Sequence, residues 1–143
     1  MATLKISDLS VGDWVYYDEG NTPCSISGIY RTGIQDCVVL NDNKYSEGVI
    51  GFVDSLTPIP ITAEILEQNG WSTDGMYAFL RIDEHLHLEY YYHEHRLRKY
   101  YCGVDEWQNH SKVTDITFTA HCYSVHQLQH ALRLAGGDKE INL

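Results

Sequence analysis

The sequence predicts an α+β fold, mostly sheet. Three observations lead there. Short apolar runs broken by turn residues recur at roughly ten-residue spacing over residues 4–61. Residues 85–95 alternate apolar and polar with period two, the signature of a strand with one buried face. Near the C-terminus, Ser124 and Gln127 form an S-x-x-Q capping box and Gly136-Gly137 form a stop signal, which together delimit one short helix.

The elements follow in order. A first strand is expected at 14–17, led in by Val11-Gly12-Asp13. Asp18 to Pro23 is a turn, and strands follow at 24–30, 37–40 and 49–53. Residues 56–61 are extended, because Pro58 and Pro60 exclude helix at the residues before them. Thr62 caps a short helix over 63–68, with Glu64 near its positive end and Gly70 as its stop. A strand over 76–82 opens a second sheet. In 85–95, Leu86, Leu88, Tyr90 and Tyr92 take one face, and His85, His87, Glu89, Tyr91, His93 and His95 the other. A partial strand is expected at 97–101, followed by an ordered loop to Val113. The last strand puts Ile116, Phe118, Ala120 and Cys122 inward and Thr117, Thr119 and His121 outward. The closing helix then covers the apolar face, with Val125, Leu128, Leu132 and Ala135 as its stripe.

The expected architecture is thus an N-terminal SH3-like small β-barrel or curled sheet (1–61), a short linking helix, and an antiparallel sheet packed by the C-terminal helix (62–143). The link at 58–62 is short and stiff, so the two lobes are expected to act as one compact unit.

Composition narrows the function. The chain has 143 residues and a net charge of −10, which argues against gripping nucleic acid by its phosphates. An acidic surface suits a basic partner, or an imitation of nucleic acid itself. No apolar stretch approaches the roughly 20 residues that cross a bilayer. The N-terminus lacks signal-peptide anatomy, so a cytoplasmic protein is expected. The four cysteines, Cys24, Cys37, Cys102 and Cys122, contain no C-x-x-C pair and read as free thiols, with Cys37 and Cys122 as small core residues.

Histidine and tyrosine are the residues with chemistry to offer, at eight and eleven copies. His85, His87, His93 and His95 on one strand face, with His126 and His130 four apart on a helix, supply zinc-type ligands without any fixed-spacing signature. Ser124 has no G-x-S-x-G elbow around it and is better explained as a cap. Cys122 alternates onto the core face, which makes a poor nucleophile. No glycine-rich phosphate loop precedes a helix. The Tyr90–Tyr92 and Tyr100-Tyr101 runs put rings beside histidines on an exposed face, the surface chemistry of protein contacts.

Three blocks carry a resemblance. They are Leu9-Ser-Val-Gly-Asp-Trp-Val15, Thr57-Pro-Ile-Pro-Ile-Thr-Ala-Glu-Ile-Leu-Glu-Gln-Asn-Gly-Trp71, and Tyr123-Ser-Val-His-Gln-Leu-Gln-His-Ala-Leu132. The first resembles the opening of SH3-like barrels. The set resembles a family of small uncharacterised proteins of phages and integrated elements in gut anaerobic bacteria, with "P-I-P-L-T-x-E-x-L-x-x-x-G-F" and "Y-V-H-x-L-Q" motifs. Ile61 and Trp71 replace the leucine and phenylalanine of that pattern. The resemblance implies an intracellular accessory protein of phage or mobile-element origin and no assigned catalytic residue.

The leading expectation is a non-enzymatic interaction module for a host or phage protein. Its contact surface is expected at His85, His87, Tyr91, His93, His95 and Trp107. The alternative is a metal-binding protein or metalloenzyme with zinc on His85, His87, His126 and His130. A weaker alternative is an acidic nucleic-acid mimic.

Overall fold

The computed structural model describes residues 4–17, 22–31, 34–41, 48–101, 115–136 and 140–143. It is α+β, with two five-stranded antiparallel sheets and a C-terminal helix. The chain divides into two units. One comprises Met1–Pro60, Ser124–His126 and Asn142–Leu143, and the other Ile61–Tyr123 and Gln127–Ile141.

The first sheet contains β1 (Trp14–Tyr17), β2 (Pro23–Tyr30), β3 (Cys37–Asn41), β4 (Val49–Phe52) and β5 (Leu56–Thr57). Their order is β4-β3-β2-β1-β5, with a 3-10 turn at Val53–Ser55 between β4 and β5. It is an open sheet among the described residues, since β4 and β5 each pair on one side only. The Val11-Gly12-Asp13 motif has a local purpose. Gly12 sits at φ 96, where a side chain is disfavoured, and its N–H donates to the Ile26 carbonyl at 2.7 Å. Asp13 is buried and its carboxylate accepts from the Ser10 N–H at 2.8 Å, which fixes the entry to β1. Inside this unit Leu4, Val15, Ile26, Val38, Leu40 and Leu56 form the heart of the core.

The second sheet contains β6 (Ser72–Thr73), β7 (Tyr77–Arg81), β8 (Leu86–Tyr91), β9 (Arg96–Tyr101) and β10 (Asp115–His121), in the meander order β10-β9-β8-β7-β6. Helix α1 (Ala63–Gln68) precedes it, capped as expected by the Thr62 hydroxyl, which accepts from the Ile65 N–H at 3.2 Å. Helix α2 (Val125–Leu134) follows it. Ala78, Leu80, Leu88, Tyr90 and Leu97 make the buried face of the sheet, and Leu128, Ala131 and Leu132 are the buried stripe of α2. Lys99, on that same sheet face by register, donates to the Ala135 carbonyl at the end of the helix. The Tyr90 hydroxyl donates to the Cys122 carbonyl at 2.7 Å, so the one polar atom on a fully buried ring is satisfied.

Four expectations need correction. The 85–95 run is not one strand: β8 covers Leu86–Tyr91 and a four-residue turn follows before β9. His95 holds that turn at φ 50, in the left-handed region. Ile116 is not inward. A register shift between Ile116 and Phe118 moves it onto the outer face, where it is 55% exposed. Cys37 is only half-buried, on the outer face of β3, while Cys24 is the buried thiol of that sheet. The capping box at α2 is displaced. Gln127 reaches back, but its side-chain oxygen accepts from the Tyr123 N–H at 2.7 Å, and the Ser124 hydroxyl meets His126 Nδ1 at 3.0 Å.

Candidate interaction face

Cross-strand register turns the outward side chains of the second sheet into three rows. Tyr77, Tyr91, Arg96 and His121 form one. Phe79, Glu89, Arg98 and Thr119 form the next, and Arg81, His87, Tyr100 and Ile116 the third. Because each strand alternates, every one of these positions lies on the face opposite Leu88 and Leu97.

Much of the face is aromatic and hydrogen-bonded. Tyr77 and Tyr91 stack at 5.7 Å, and His87 and Tyr100 at 5.1 Å. The tyrosine hydroxyls of Tyr91 and Tyr100 are 3.2 Å apart. The Arg98 guanidinium lies 5.0 Å over the Tyr91 ring and bonds Glu94 at 3.4 Å. Arg96 donates to His121 Nε2 at 3.0 Å, and His87 Nε2 lies 3.4 Å from Glu89. Burial raises the Tyr91 hydroxyl above its ordinary range, helped by the bond to Tyr100. The hydrogen bond to Tyr100 similarly holds the Arg98 guanidinium above its usual value. At the β7–β8 turn, the backbone N–H groups of His85 and Leu86 hold the Asp83 carboxyl below the usual range. A shallow depression of about 380 Å³, lined by Ser72, Thr73, Asp74, Tyr77 and Phe79, lies at the β6 edge.

The expected contact residues distribute unevenly over this surface. His87 and Tyr91 stand on it, although His87 is only 4% exposed under its neighbours. His85 precedes β8 in a bend, and its ring stacks on Tyr101 at 5.6 Å. Tyr100 and Tyr101 alternate to opposite faces, so His85 and His87 do not converge. His93 and His95 sit exposed in the turn after β8, not on the strand face, and the His95 ring packs on Tyr123 at 4.7 Å. Trp107 lies outside the described residues.

His126 is 3% exposed and bonded to Ser124, and His130 is half-buried. Among the described residues no group of three or more His, Cys, Asp or Glu side chains is arranged to hold a metal. The Ser124–His126 pair has the types of a nucleophile and a base, but both are under 5% exposed, which closes the hydroxyl to a substrate. Burial pushes the Cys122 thiol up to about 12, so it stays protonated and inert at neutral pH.

Tyr77, Phe79, Arg81, Arg96 and Arg98 were not singled out in the sequence reading. The signal was present as alternation in Tyr77-Ala-Phe-Leu-Arg81 and Arg96-Leu-Arg-Lys-Tyr100. What was missing was the register that sets three strands side by side. No helix among the described residues is long and apolar enough to cross a membrane. No family model, curated protein or solved structure matches this chain.

Proposed function

We propose that the protein is a non-enzymatic interaction module whose contact surface is the outward face of the second sheet. The observation that carries this reading is the three-row array itself. Tyr77, Phe79, Tyr91, Arg81 and Arg98 come from three strands onto one face, and tyrosine and arginine are the residues that dominate contact energies between proteins. Their mutual stacking and hydrogen bonds hold the side chains in place before a partner arrives, which lowers the entropy lost on binding.

Among the described residues, the closed Ser124–His126 pair and the scattered histidines supply no reacting centre to favour an enzyme. The resemblance to phage and mobile-element proteins supplies the setting: a cytoplasmic accessory protein that engages a host or phage protein. The first sheet fits that setting as an SH3-like lobe. What supports that reading is the Val11-Gly12-Asp13 entry to β1, in an open sheet of order β4-β3-β2-β1-β5.

Site-specific photo-cross-linking in cells tests the reading. A photoreactive residue at Phe79 is expected to give a discrete adduct with a partner protein. The same residue at Glu64, on α1, is expected to give none. Equal labelling at both positions, or none at Phe79, overturns it.

A further inference from the structure

The chain carries 20 acidic residues against 10 lysines and arginines, yet the outward face of the second sheet has the opposite balance. Three of the five arginines, Arg81, Arg96 and Arg98, stand on it. Glu89 is the one carboxylate among its described strand positions, and its side chain is 14% exposed beside His87. Among the described strand positions this face is therefore a local basic island, with Glu94, which pairs with Arg98, and Asp74, at the depression, as its acidic margin. A basic island on an acidic protein selects an anionic partner at short range, where local pairing outweighs the screened field of the whole chain.

Ring orientation chooses between the anionic classes. Tyr77 and Tyr91 have centroids 5.7 Å apart with planes 26° apart, and His87 and Tyr100 are 5.1 Å and 20° apart. Those separations are too short for rings lying side by side in one plane. The rings set their faces against one another, and the Tyr91 and Tyr100 hydroxyls meet each other across the face. Nucleobases stack on exposed ring faces, which this surface already uses internally. A strand of phosphates would also meet the repulsion of the net −10 chain along its whole length. A few carboxylates meet guanidinium forks, the donors that this face does present. The depression beside Tyr77 and Phe79 offers a seat for one apolar side chain at the edge of the same face.

We infer that this face binds an acidic segment of its protein partner, with carboxylates on Arg96 and Arg98 and an apolar side chain in the depression beside Tyr77 and Phe79. This rests on the proposed interaction surface and adds the chemistry of what it recognises.

Fluorescence anisotropy on the full chain tests it. The probes are a fluorescein-labelled peptide of glutamates around one leucine, its glutamine counterpart, and a labelled oligothymidylate. The glutamate peptide is expected to bind at least about tenfold more tightly than the glutamine peptide, and to weaken as salt is raised. Arg98→Gln is expected to weaken it by about tenfold, and Arg133→Gln on α2 to leave it unchanged. Because Arg98 also packs on Tyr91, Arg81→Gln, at an exposed position of the same face, serves as a second variant and is expected to weaken the glutamate peptide as well.

Equal affinity for the two peptides, or glutamate binding indifferent to both face variants, overturns the inference. Tighter binding of oligothymidylate overturns it in favour of nucleic acid. If the Phe79 cross-link forms while the glutamate peptide fails, the surface stands and its acidic specificity falls. If both fail, both fall.

Discussion

The two sheets each present one face outward, and they treat it differently. On the first sheet the outward rows are Tyr30, Cys37 and Phe52, then Gly28, Val39 and Ile50. Tyr30, Ile50 and Phe52 are 54%, 65% and 49% exposed, so large apolar area stays in water. On the second sheet the outward rows are rings and charges, and those of β8 and β9 bond or stack on a neighbour. Both sheets alternate, so alternation alone does not say what an outward face is for. The side chains that register brings together decide whether it is an unsupported apolar patch or a pre-arranged polar one.

Four substitutions break or sharpen that comparison. The largest effect is expected from the inward side of the second sheet. Leu88 is fully buried, so Leu88→Ala should lose about 2–5 kcal/mol in urea unfolding, through lost burial and the cavity left behind. A loss below about 1 kcal/mol would mean that this face is not a packed core. Next comes a close approach in the first sheet. A Cβ at Gly51 would sit 2.9 Å from both Leu40 Cδ1 and Tyr17 Cε1. Gly51→Ala is expected to cost about 1–3 kcal/mol by overpacking, and an unchanged melting curve would show that Tyr17 can swing away.

Tyr90→Phe deletes the bond to the Cys122 carbonyl and should cost about 1–2 kcal/mol at neutral pH. Its pH dependence is a second readout. Burial raises the Tyr90 hydroxyl from an ordinary value of 10.0, so the folded state keeps a proton that the unfolded chain loses. That contribution is fully present below pH about 10 and is lost as pH rises above it. The stability gap between wild type and Tyr90→Phe should therefore close in alkaline unfolding experiments, and a gap that widens would reverse the assignment. The smallest effect is expected on the outward side of the first sheet. Ile50→Lys, at 65% exposure, should shift stability by less than about 0.5 kcal/mol. A larger loss in thermal unfolding would reveal that something covers β4.

Much of the fold was legible in the chain. The strands β1 to β4, the capped helix α1 and the stop of α2 at Gly136 follow from turn residues, proline positions and capping chemistry, all local to a few residues. The candidate face was legible on one strand only. His87 and Tyr91 were placed on it from the alternation of β8, but the turn that ends β8 at Tyr91 carried no glycine or proline to announce it. His95 takes the left-handed position instead, which is a costly choice for a residue with a side chain.

By itself, the sequence determined the class of fold, the order of its elements and which side of most strands is buried, because periodicity and capping are properties of neighbours along the chain. Tertiary structure alone decided the rest. Hydrogen-bonded register set Arg81, Arg96 and Arg98 around Tyr91 and Tyr100, and one bulge moved Ile116 to the outer face. Register depends on pairing between segments distant in sequence, and a shift of one residue sends every later side chain to the other face.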